Sequence, residues 1–216
     1  MIMSVRTVLA AAVLAVMQFG TSCNAETIRV AAQKTGTFAW ELAVIRSHGL
    51  DKKANLSIDV VELASPEAGK IALRSGTADV MVSDWPWVSR ERSLGAKLQF
   101  YPYSSALGAV MVPAASPVRT LADLKGRKLA VAGGAIDKNW LLLQAALKQD
   151  GVDLKSQATI VYGAPPLLAA KTLGGEMDAT LNYWNFCAAL EAKGFRRLAG
   201  MEEILQKLGS KGRIAM

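Results

Sequence analysis

The chain has 216 residues, of which 51% are hydrophobic and 20% charged, and a formal net charge of +7. That apolar share excludes a disordered chain, and the length suffices for one or two domains with real cores. One histidine and two cysteines leave too few ligands for a His/Cys metal centre, and the scattered basic residues (Lys52-Lys53, Arg90, Arg92, Arg196-Arg197) form no nucleic-acid stripe and read as solvated surface.

Taken in chain order, Arg6, the apolar run 8–19 and the small residues up to Ala25 read as an export leader cut after Ala25. The apolar run falls short of the about 20 residues of a comfortable membrane span. Ser22-Cys23 carries part of a lipid-anchor signal, but Gly20 stands where a leucine-like residue is wanted, so soluble release is expected. Cys187 then remains alone, in an apolar stretch that suits a buried, inert thiol. A strand is expected over 27–32. Thr37 can cap a helix running through Trp40 to His48, with Gly49 ending it. His48 falls in a last helical turn, where a dipole or surface role is the expectation rather than catalysis. A strand follows over 56–63, and Pro66 opens a helix at its favoured first-turn position. Gly76 stops that helix before a strand over 79–82 and a helix over 88–94. Residues 99–113 read as an extended crossover into a second unit. There Thr120 caps a short turn before a strand over 128–132, and Asn139 can cap a helix over 140–148 that Gly151 ends. A strand over 158–161, a helix over 165–173, a strand over 178–181 and helices over 186–193 and 201–208 complete the series. Helices alternating with short apolar strands predict a parallel-type α/β sheet.

A repeat runs through this series. Pro66, Gly76, Asp79 and Trp85 recur 99 positions later as Pro165, Gly175, Asp178 and Trp184. The unit in each case is helix, glycine stop, strand, tryptophan. Two similar lobes with a cleft between them follow from this; one sheet with similar neighbouring units is the alternative.

In open α/β sheets ligands bind beyond the carboxyl ends of strands. Four segments reach that edge: 34–40, 83–87, 133–140 and 182–185. All five tryptophans lie in them. Trp85 and Trp184, matched by the repeat, are expected to line the cleft; Trp40 and Trp140 suit core packing equally well. Thr35-Gly36-Thr37 and Gly133-Gly134 are small enough to let an anion reach the backbone N–H groups of a helix start. Lys34 and Lys138 can add charge, although both are expected in solvent. Asp84 and Asp137 can hold an ammonium group beside the tryptophans or, equally, cap a turn or helix. The candidate ligand residues are Thr35, Gly36, Thr37, Trp40, Ser83, Asp84, Trp85, Gly133, Gly134, Asn139, Trp140, Asn182, Tyr183 and Trp184. No phosphate-binding loop, dinucleotide fingerprint, zinc-protease motif or nucleophile elbow occurs in the sequence. Aromatic walls with few titratable groups suit holding a small molecule rather than transforming it. The reading is of a non-enzyme without metal or cofactor.

The order of IRVAAQKTG, HGLDKKANLSIDVVEL, ALRSGTADV, SPVRTLADLKGRKLAV and LGGEMDA resembles the periplasmic solute-binding proteins of ABC transporters, in the nitrate, sulfonate and taurine branch that includes thiamine-precursor binders. The most specific pieces are HGL at 48–50, SGTADV at 75–80 and DLKGRKLAV at 123–131. The resemblance implies an α/β, two-lobe periplasmic binding protein type II-like fold with two crossover strands. It also implies a small-molecule solute held between the lobes, a membrane permease as partner, no nucleic acid, a periplasmic location and a monomer. The four loops above would touch the solute. The division expected is a leader at 1–25, a first lobe at 26–108, and a second lobe with the start of a return crossover at 109–216. Members of this family usually continue back into the first lobe, whereas this chain stops near 212–216, which reads as a C-terminal truncation. A sulfonate or amine-bearing sulfonate is favoured as solute, because the four loops hold tryptophans and no arginine. A sensory domain using the same cleft is the alternative. A thiamine-pyrimidine synthase-like enzyme is disfavoured, because it would need a histidine-bearing site and only His48 exists.

Overall fold

The computed structural model describes residues 25–212. Residues 1–24 of the expected leader, Cys23 among them, lie outside that range, as does the end of the expected return crossover. Two sheets carry the chain. The first has order β2-β1-β3 and is wholly parallel, with β1 Glu26–Gln33 between β2 Leu56–Leu63 and β3 Val80–Met81. Helices α1 Thr37–Ser47 and α2 Leu50–Lys53 make the first crossover, and α3 Pro66–Arg74 the second. β1 is central, so both its faces are covered. Val30 and Ala32 pack with Leu42 of α1 on one side, and Ala31 packs with Ala72 of α3 on the other. At the sheet edge, β2 alternates partly buried and exposed residues, as LSIDVVEL does in hydropathy.

Helix α4 Trp85–Ser93 follows, and then an extended passage over 97–108 leads to β4 Ala109–Pro113. After a short 3-10 turn at Leu121–Leu124 come β5 Lys128–Ala132, α5 Lys138–Gln149, α6 Leu154–Gln157, β6 Thr159–Gly163, α7 Pro165–Leu173, β7 Ala179–Asn182, α8 Trp184–Glu191, β8 Phe195–Gly200 and α9 Met201–Lys207. The second sheet has order β6-β5-β7-β4-β8. It is mixed rather than wholly parallel: β4 pairs antiparallel with both β7 and β8. Its main core joins Val110 and Val112 of β4, Leu129 and Val131 of β5, Leu143 and Leu147 of α5, and Met201 and Ile204 of α9.

The repeat proves to be a folding device. Asp79 Oδ2 accepts from the Arg29 N–H at 2.9 Å, and the Asp79 N–H donates back to the Arg29 carbonyl at 2.8 Å. Asp178 does the same to Lys128, at 2.8 and 3.0 Å. Each carboxylate therefore closes a reciprocal clamp that sets the register of the central strand against its neighbour. Gly76 and Gly175 take φ +73° and +76°. That left-handed turn lets the N–H of Thr77 reach Ala72 O at 2.9 Å, and the N–H of Glu176 reach Lys171 O at 3.0 Å.

Local chemistry differs from the sequence reading at several points. Gly36, with φ +99°, precedes α1, and Thr37 is its first residue rather than its cap. Asp137 caps α5 with its side chain, and Asn139 lies inside the helix. Helix α4 begins at Trp85, three residues earlier than the periodicity indicates, because Asp84 Oδ1 accepts from the Trp87 N–H at 2.8 Å. Strand β8 has no counterpart in the sequence reading. Arg196 reads as solvated charge, yet its guanidinium is half-buried and donates to the Val118 carbonyl, whereas Arg197 is exposed as expected and its Nε donates to Glu191 Oε1 at 2.6 Å.

Candidate functional site

A cavity of about 180 Å³ opens where the strand ends of the two sheets face each other. Its wall takes residues 31–33 at the end of β1, Leu63 at the end of β2 and 81–84 around the end of β3. From the second sheet it takes Gly133 after β5 and 183–186 after β7. This is the carboxyl edge where parallel α/β sheets hold ligands. The starts of α1, α3 and α5 border it, so their free N–H groups give it a positive field.

Of the residues singled out by sequence, Thr35, Gly36, Thr37, Ser83, Asp84, Gly133, Asn139, Tyr183 and Trp184 line this cavity. Trp40, Trp85, Gly134, Trp140 and Asn182 do not. Trp140 is 1% exposed and belongs to the main core of the second sheet. It is the first-turn residue of an apolar helix, and that helix face turns inward. Asn182 is enclosed too: its Nδ2 donates to the Pro165 carbonyl at 3.0 Å, and its Oδ1 accepts from the Tyr183 N–H. Trp40 is largely exposed and stands outside the wall with its ring edge-on to Trp184, at 6.3 Å and 85°. Trp85 is exposed and has no part in the wall. The repeat thus matches Trp85 and Trp184 in sequence and helix position but not in environment, since it does not encode how each helix is rotated toward the gap. Gly134 faces the opposite lobe: a Cβ there would lie 3.2 Å from Glu67 Oε1.

Gly133 is required where it stands. Its φ is +84°, and a Cβ would fall within van der Waals distance of both Tyr183 Oη and Asp137 Oδ2. Those two atoms form the central polar contact of the wall. Tyr183 Oη donates to Asp137 Oδ2 at 2.9 Å, while Asp137 Oδ1 accepts from the Asn139 N–H at 2.8 Å. Burial pushes the Asp137 carboxyl up from 3.8 to about 6, against the opposing pull of the Tyr183 hydroxyl and the Asn139 amide. Burial and the charge of Asp137 also hold the Tyr183 hydroxyl well above its ordinary value.

Sequence reasoning missed further wall residues. Lys70 of α3 is buried, 3.6 Å from Asp84 Oδ2, with its Nζ 5.5 Å from the centre of the Trp87 ring. The only sequence signal for it is its position one turn after Pro66. Lys138, expected in solvent, is 3% exposed and lines the cavity. Burial lowers its pKa, and the carboxylates of Asp84 and Asp137 work against that. From the crossover, Tyr103 enters the wall, donates to Glu41 Oε2 at 2.6 Å and meets Phe38 edge-on. Burial, with the Glu41 charge, raises its pKa. Among the described residues, Ser83 Oγ, Lys138 Nζ and Asn139 Oδ1 find no hydrogen-bond partner although each is enclosed. The wall therefore presents unspent polar groups between apolar surfaces such as Met81, Phe38 and Phe186, an arrangement that suits a small polar molecule. Among the described residues no group of three or more His, Cys, Asp or Glu side chains is placed to hold a metal ion.

The family described as NMT1/THI5 like matches residues 42–203, three quarters of the chain. Among solved structures, the alkanesulfonate-binding protein SsuA from Xanthomonas axonopodis pv. citri, bound to MOPS, is 26% identical with a TM-score of 0.66, over 82% of this chain and 61% of that one. The periplasmic aliphatic sulphonate binding protein SsuA from Escherichia coli is 25% identical with a TM-score of 0.63, over 88% of this chain and 60% of that one. An ancestral arginine-binding protein bound to glutamine shares the fold alone, at 18% identity and a TM-score of 0.55. The chain thus spans about six tenths of the length of the sulfonate-binding structures it matches. No curated protein matches it significantly. The two-lobe α/β fold expected from the sequence is the fold of these relatives.

Proposed function

The chain belongs to the NMT1/THI5-like family, and from that premise we propose that it is a solute-binding protein of an ABC-type importer, holding a small organic anion or zwitterion of the sulfonate, taurine or nitrate kind between its lobes. The observation that carries this reading is the interlobe cavity, where enclosed polar groups without partners alternate with apolar side chains. Residues 26–108 and 109–216 act as the two jaws, and closure over the solute presents the protein to a membrane permease in the periplasm. The solved relatives at 25–26% identity are named as binding proteins, which favours holding over chemistry. His48 is exposed at the end of α1 and absent from the cavity wall, so the one imidazole is not available to a reaction there.

The solute-contacting residues in this reading are Thr35, Gly36, Thr37, Ser83, Asp84, Gly133, Asn139, Tyr183 and Trp184. Isothermal calorimetry of the chain against ethanesulfonate, taurine, nitrate and a thiamine-type pyrimidine tests it. One-to-one binding of at least one of them, with a matching rise in Tm, is expected. No heat and no thermal shift with any of the four would refute the reading.

A further inference from the structure

The buried ammonium of Lys138 has no counter-charge in contact with it. Lys138 is the first residue of α5, is 3% exposed and lines the cavity. Among the described residues its Nζ makes no hydrogen bond and no ion pair. A buried charge in that condition is costly unless something arrives to pair with it.

The two nearby acids are already engaged. Asp84 accepts from the Trp87 N–H at 2.8 Å and faces Lys70 at 3.6 Å. Asp137 accepts from Tyr183 Oη at 2.9 Å and from the Asn139 N–H at 2.8 Å. Turning either carboxylate to Lys138 would strip a helix cap and leave a second buried group unpaired. Asp84 and Asp137 favour the ammonium electrostatically without bonding to it, so the open hydrogen-bonding positions of Nζ are left for a group in the cavity. A second unpaired group with a donor hydrogen faces the same space from the opposite lobe: Ser83 Oγ, just beyond β3. An ammonium and a hydroxyl on facing walls, with the N-terminal dipole of α5 beneath the former, match an oxyanion. Phe38, Met81 and Phe186 offer apolar cover for a short tail.

We propose that Lys138 Nζ is the anion-holding group of this cleft, that Ser83 Oγ shares the same oxyanion, and that the preferred ligand is a compact alkyl oxyanion. This deepens the solute-binding reading and rests on it for the organic part of the ligand. Because the two donors come from different lobes, the anion ties them together, which couples binding to closure.

The test compares the full chain with its Lys138→Met and Ser83→Ala forms, using ethanesulfonate in calorimetry and inorganic sulfate in thermal unfolding. Lys138→Met is expected to weaken ethanesulfonate binding about tenfold or more, as befits loss of a charge-assisted bond. It is also expected to abolish the sulfate-induced rise in Tm while leaving the ligand-free Tm unchanged or higher. Ser83→Ala is expected to weaken binding about three- to tenfold. Equal ethanesulfonate affinity in the parent and Lys138→Met overturns the assignment and leaves the solute-binding reading standing. If the parent binds no sulfonate, yet sulfate stabilises it and not Lys138→Met, the anion-holding role of Lys138 stands and the preference for an alkyl oxyanion is overturned. Equal sulfate stabilisation of both forms, or none in either, overturns the assignment. Should Lys138→Met not fold, Lys138→Gln, which keeps a polar end without the charge, carries the same comparison.

Discussion

Replacing Asp137 by asparagine isolates the energetics of the cleft. The carboxyl is buried in the cavity wall, caps α5 and accepts from Tyr183 Oη. Its pKa rises from 3.8 to about 6, so the folded chain binds this proton more tightly than the unfolded chain does. The stabilisation from that proton is complete below 3.8 and is lost as pH rises through 6. At about 1.4 kcal/mol per pH unit the full span is worth about 3 kcal/mol, of which about 2 kcal/mol is regained between about pH 7.5 and 4.5. Asparagine keeps an acceptor for the Asn139 and Trp140 amides and offers its NH2 to the Tyr183 oxygen, at a cost of about 1 kcal/mol for the altered bond. Asp137→Asn is therefore expected to be more stable than the parent by about 1–2 kcal/mol near pH 7.5. The advantage should disappear near pH 4.5. Urea unfolding followed by far-UV circular dichroism at several pH values, read as the difference between the two proteins, measures this. The depressed carboxyls Asp79, Asp123 and Asp153 titrate below 3.8 when folded and leave the window clear. A difference that stays flat from about pH 4.5 to 7.5 would refute the claim that Asp137 carries a buried charge.

Three further outcomes are expected. Trp184→Ala, which removes an aromatic wall and its edge-on contact with Trp40, should weaken solute binding by about 0.5–1.5 kcal/mol, while Trp85→Ala should leave the affinity in calorimetry unchanged. Gly133→Ala forces a side chain into a φ of +84° and against the Tyr183–Asp137 contact, so a loss of about 2–4 kcal/mol in urea unfolding is expected, with solute binding reduced in parallel. Burial pushes the Cys187 thiol up to about 11, so a thiol reagent near neutral pH should leave Cys187 unmodified in the native chain and label it in denaturant, as mapped by mass spectrometry.

Much of the fold was legible because its signals are short-range. Pro66 and Pro165 open their helices, Gly76 and Gly175 end them, and β2, β5 and α7 run over the residues that hydropathy and turn chemistry mark out. The repeat was legible as a pattern but not as a mechanism. Nothing local says that Asp79 and Asp178 reach back 50 residues to clamp Arg29 and Lys128. Strand β8 stayed hidden because Arg196 and Arg197 carry the composition of a surface loop. They belong to a strand only because β4 lies beside them.

The sequence alone determined the succession of strands and helices, their stops, and the loops that gather at the strand ends, because each is encoded within a turn or two of chain. Tertiary structure alone decided which side of each loop meets the gap. It turned Trp140 into the core, left Trp85 in solvent, and enclosed Lys138 beside acids that were already engaged. Those outcomes depend on surfaces brought together from distant parts of the chain. Burial and counter-charge are properties of that meeting, and no residue's identity or local spacing contains them.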